Sequence, residues 1–67
     1  MIPVIKMYRV EYTFRQPRHE DTFTVINEKV ISDSTTHAVR DGLADSLILQ
    51  HLLKHSMKLV HWEVREI

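Results

Sequence analysis

His51 and His55 stand four residues apart, the spacing at which two imidazoles on one helix face can share a zinc ion. On a helical projection His37 falls within about 40° of both, and His61 and His19 are conceivable further ligands. No glutamate stands between the pair as it does in a zinc-hydrolase helix, and no third ligand is placed by spacing. The expectation is an exposed polar strip rather than a metal centre, and no cofactor is implied. Asp41 and Asp45 repeat the same spacing with carboxylates. They project to the most solvent-facing arc of the helix, whereas a paired general acid and base needs surroundings that split the two pKa values. The chain has no cysteine nucleophile, no G-x-S-x-G elbow, and in Gly42 a single glycine, too few for a phosphate-cradling loop. These residues point to a binding protein rather than an enzyme.

Two kinds of binding surface are legible. Arg15, Arg18 and His19 lie in a polar stretch and could meet phosphate, with Lys6 and Arg9 enlarging a basic patch at one end. Glu20 and Asp21 follow at once and blunt it. Nine basic and nine acidic side chains cancel, whereas a protein that tracks nucleic-acid backbone normally carries a basic surplus. A nucleic-acid-binding regulator is therefore the alternative reading. The favoured one rests on apolar surplus: Leu47-Ile48-Leu49 and Leu52-Leu53 go most of the way round a helix, and Ala44, Ile48 and Leu52 project away from Leu43 and the expected core. Small monomers seldom leave such a patch wet. The open face of the sheet adds Met7, Arg9, Leu59 and His61 to the candidate interface. An unpaired edge strand can also accept another strand, an edge-to-edge dimer through the last strand included.

The elements that must position these residues follow from periodicity. Residues 4–14 alternate with period two, Val4, Tyr8, Val10, Tyr12 and Phe14 on one face, which reads as a half-buried strand. Residues 15–21, with one proline and no apolar side chain, read as a hairpin loop. A second strand covers 22–27, with Val30-Ile31 either its bulged continuation or a packed loop. Ser32 to Thr36 supplies helix N-cap types, and one amphipathic helix is expected over 34–55 with Val39, Leu43, Ser46, Leu47 and Leu53 inward. A last strand at 58–66 turns Val60, Trp62 and Val64 inward and Leu59, His61, Glu63 and Arg65 outward. A right-handed crossover then gives an α+β, ββαβ domain over residues 1–67, a three-stranded antiparallel sheet of order 2-1-3 with the helix on one face.

A chain of 67 residues has room for one modest core. Without disulfides, oligomerisation is the first means of support to consider. The start, Met1-Ile2-Pro3-Val4-Ile5-Lys6, lacks a signal-peptide pattern, and no run approaches the ~20 apolar residues of a membrane span, so a cytoplasmic protein is expected.

The pattern resembles small phage-encoded ββαβ proteins that take over or block a host machine, in outline the podophage inhibitors of bacterial RNA polymerase. The likeness lies in "FTV" at 23–25, the Ser/Thr-rich helix start at 32–36, the single amphipathic helix and "WEVREI" at 62–67. This chain differs in the insertion of Asn27–Ile31 and in lacking an acidic strip in its first strand. The resemblance implies a non-enzymatic modulator that binds a host protein, within the host cytoplasm. No functional residue is carried over from it.

Overall fold

Strand β1 (Lys6–Arg15) is the axis of the fold because alternate side chains along it are the large apolar ones. Tyr8, Val10, Tyr12 and Phe14 are all buried. The computed structural model describes residues 5–67; Val4, expected as the first residue of this strand, lies outside them. Strand β2 (Thr22–Ser32) pairs antiparallel with one edge of β1, and β3 (Lys58–Glu66) pairs antiparallel with the other. The sheet order is β2-β1-β3, the α+β arrangement that the residue pattern predicts. The hairpin turns at Gln16–His19, where the His19 N–H donates to the Gln16 carbonyl at 3.2 Å. Pro17 supplies the fixed φ and Arg18 takes a left-handed one, φ 64°, where glycine is usual.

Both outer strands carry one extra residue, and each insertion changes which side chains face the helices. Tyr8 lies opposite Val30 and Val10 opposite Asn27, so Glu28 and Lys29 together face Arg9. This bulge reverses the inward parity of β2 after Asn27 and turns Val30 and Ser32 into the core. The second strand therefore runs through to Ser32 as a bulged continuation. In β3, Thr13 lies opposite His61 and Phe14 opposite Leu59, leaving Val60 as the extra residue. Leu59 consequently packs against the core. It does not join the open face with His61, Glu63 and Arg65, as strict alternation predicts.

The expected single helix is two. Helix α1 (Thr35–Ala44) starts at Ser34, whose Oγ accepts from the His37 N–H at 3.1 Å. It stops at Asp45, and the chain extends at Ser46 (φ −118°, ψ 117°) before α2 (Leu47–Lys54) begins. Ser46 is the N-cap of α2: its Oγ accepts from the Leu49 N–H at 3.3 Å. Gln50 Nε2 donates to the Leu43 carbonyl at 2.8 Å, satisfying an acceptor at the open end of α1. The break resets the helical phase. Leu49 is 0% exposed and Leu47 is 90% exposed, whereas a continuous helix would put Leu47 inward and Leu49 at the margin. Leu53, also expected inward, is 39% exposed.

Helix α2 ends in a Schellman motif. The Met57 N–H donates to the Leu52 carbonyl at 3.1 Å and the Ser56 N–H to the Leu53 carbonyl at 3.3 Å. Ser56 holds the left-handed position at φ 65°, and Leu52 and Met57 both pack on the core.

Candidate functional site

Helix α1 does not sit centrally on the sheet. It lies against all three strands but most closely on β2. Polar contacts tie it to the β1 and β2 side. The buried Tyr12 hydroxyl donates to the Val39 carbonyl at 2.7 Å. On the β2 side, Asn27 Nδ2 donates to the Gly42 carbonyl at 3.2 Å, and Ser32 Oγ donates to Asp41 Oδ2 at 2.7 Å. Gly42 is required there, because a Cβ would overlap the Tyr12 hydroxyl and come within 3.0 Å of Val30 Cγ2. Burial pushes the Tyr12 phenol up to about 12, and the nearby Asp41 carboxylate pushes in the same direction. The Ser32 hydrogen bond holds the Asp41 carboxyl below its ordinary value, with Arg40 helping.

The opposite flank of α1 is open. Val39 and Leu43 from the helix face Leu59, Trp62 and Val64 from β3 across a groove of about 660 Å³, which Thr35, Thr36 and Arg40 also line. Trp62 is paired with Tyr12 in the sheet and turned toward the helix side, yet it is 50% exposed. Beside the groove lies the outer edge of β3, which no other described strand covers. The Ile67 N–H donates to the Met7 carbonyl at 3.0 Å, and the ladder from Tyr8–Glu66 to Thr13–His61 is regular. Backbone groups of residues 61, 63, 65 and 67 thus point at β1, and those of Trp62, Val64 and Glu66 point away from the sheet, unpaired within it. An apolar groove and a row of free backbone donors and acceptors meet along one line. That is the geometry for adding an extended strand whose alternate side chains enter the groove.

The other sheet face carries an unusual charge order. Arg9 lies opposite Arg65, and Glu11 opposite Glu63. Like charges directly across a ladder are unfavourable. Relief comes along the strand, where Arg9 reaches Glu11 at 3.6 Å; among the described residues Glu63 has only His61, at 3.5 Å. Beyond this quartet Met7 lies opposite Ile31 and bonds to Ile67, and all three side chains are exposed.

The remaining expected site residues separate. Ala44, Ile48 and Leu52 do not form one ridge, because the break at Asp45–Ser46 puts Ala44 on a different helix. Ala44 and Ile48 are exposed, while Leu52 is half-buried against the core. Ile48 and Leu47 instead line a shallow groove with Val25, Ile26 and Asn27 at the β2 edge. Arg15, Arg18 and His19 are exposed at the hairpin end. Lys6 and Arg9 are not near them: they sit toward the far end of β1, up to about 30 Å away, with Lys6 held to Glu66 at 3.4 Å. Among the described residues no extended basic patch forms.

The His51 and His55 rings lie 4.2 Å apart, tilted at 50°. His37 is on the other helix and bonds to Asp33 Oδ1 at 2.7 Å, which holds the Asp33 carboxyl down. Among the described residues no three histidine or carboxylate side chains converge as a metal site, and no helix is long and apolar enough to cross a membrane. Residue alternation places Trp62 on the helix side and does not register that it stands half exposed there. Comparison with protein-family profiles, with curated proteins and with solved structures found no match to this chain.

Proposed function

We propose that this chain is a protein-interaction module that works by binding rather than by chemistry, receiving an extended strand of a protein partner along β3. The observation that supports this best is the half-exposed Trp62 beside the free backbone edge of the same strand. A partner strand would pair with the backbone of Trp62, Val64 and Glu66 and cover the indole with an apolar side chain. The resemblance of the FTV, Ser/Thr-rich and WEVREI segments to small phage-encoded host-takeover proteins supports a partner of host origin, whose surface is then modulated or blocked; the single helix of that pattern is two helices here. Nucleic acid is the weaker partner because several surface cations already face carboxylates: Lys6 with Glu66, Arg9 with Glu11, Arg40 with Asp41.

The test is capture of proteins from host lysate by the wild-type chain and by Trp62→Ala, with hydrogen exchange of the complex. A partner that Trp62→Ala loses, and that slows exchange of the Trp62, Val64 and Glu66 amides, is expected. A partner retained in full by Trp62→Ala with those amides unprotected would overturn the reading.

A further inference from the structure

The edge of β3 carries its own description of what fits it. We infer that in the free chain the strand received along β3 is β3 of a second copy, antiparallel and centred on Val64, which any other partner strand must displace; this rests on the strand-accepting reading above.

Any two-fold pairing of β3 with itself must match outward-pointing residues with outward-pointing residues, so the register can move only in steps that keep this parity. Centred on Val64, the pairing sets Arg65 opposite Glu63 of the second copy, and Glu63 opposite its Arg65. Both side chains project from the open face, both are exposed, and each faces a like charge within its own sheet. The second copy supplies the opposite charge that the chain's own β1 withholds. Moving the centre to Glu63 sets glutamate against glutamate, and moving it to Arg65 sets arginine against arginine. Opposite pairs across a ladder favour a register and like pairs disfavour it, so charge selects Val64 over its neighbours.

The helix-side face agrees. Val64 meets Val64 of the second copy at the axis, and Trp62 lies diagonal to that Val64 and directly opposite Glu66 of the second copy, whose alkyl stem rather than an apolar side chain borders the indole. The exposed half of the indole and the open α1–β3 groove are then closed by the partner's strand. The assembled sheet has the order β2-β1-β3-β3-β1-β2, with the helices of both copies on one face. Such an interface is isologous: each surface contacts its own image.

The test uses charge reversal, because here it separates folding from association. Glu63→Arg replaces a like-charge pair with Glu11 by an opposite one, and Arg65→Glu does the same with Arg9. Neither should lower the thermal midpoint of the isolated chain. Each should weaken self-association about tenfold or more, since both intermolecular pairs become repulsive. The double variant Glu63→Arg, Arg65→Glu restores opposite charges across the axis and should restore the dimer. Sedimentation from micromolar to millimolar concentration reads this directly. A wild-type chain that is monomeric throughout would overturn the second copy as occupant; the strand-accepting reading would still be decided by the Trp62→Ala capture. A dimer that both single reversals leave unchanged, or that the folded double variant fails to restore, would overturn the register.

Discussion

The two flanks of α1 rest on strands of the same sheet and are built in opposite ways. On the β2 flank, Asn27 and Ser32 reach up to the helix, Gly42 lets the Tyr12 hydroxyl come close, and Val30 fills the space beneath. On the β3 flank Val39, Leu43, Leu59 and Val64 line an open groove rimmed by Thr35, Thr36 and Arg40, and an indole stands half in water. The difference teaches that a three-stranded sheet under one helical layer can be completed on one side only. Directional polar contacts select that side, and the other keeps its apolar surface available.

The comparison breaks most visibly under truncation. Leu49→Ala, which empties a fully buried site where α2 meets the sheet, should cost about 2–5 kcal/mol. Trp62→Ala, in dilute solution, should cost about 1–2 kcal/mol despite the larger side chain, because much of the ring is already hydrated. Urea denaturation of both variants checks this, and equal losses would mean the β3 flank is closed core. Alkaline pH sharpens the contrast next. With a folded pKa of about 12 against an unfolded value near 10, Tyr12 favours folding fully below pH 10. That contribution, about 2–3 kcal/mol, should be lost as pH rises from 10 to 12. Tyr12→Phe should show a flatter alkaline limb than wild type, and identical limbs would contradict the buried phenol. The smallest effect tests the polar tie itself. Ser32→Ala should raise the Asp41 carboxyl toward its ordinary value, followed by carboxyl chemical shifts between pH 2 and 6, with no change expected at the β3 flank.

Much of this frame is readable from residue order, and the failures have definite causes. The alternation Tyr8, Val10, Tyr12, Phe14 identifies the central strand because only a strand covered on one face needs that pattern. The sheet order follows from crossover handedness. What a periodic projection cannot register is a change of phase. Leu47 to Leu53 read as apolar all round when a single helix spans what are two, and Ser46 ahead of Leu47 is the local cue, an N-cap type before an apolar run. Val60 did the same to a strand: one inserted residue moved Leu59 from the open face to the core. The like-charge rows on the open face needed the cross-strand register, since Arg9 and Arg65, or Glu11 and Glu63, are far apart in the chain.

The bulge at Glu28–Lys29 also bears on how large an assembly can grow. A sheet extended at β3 would end on two copies of β2, each kinked at this point and carrying an acidic and a basic side chain there. Such a rim is a poor template for a further strand. Growth would terminate at two chains, giving a finite particle in place of a fibre.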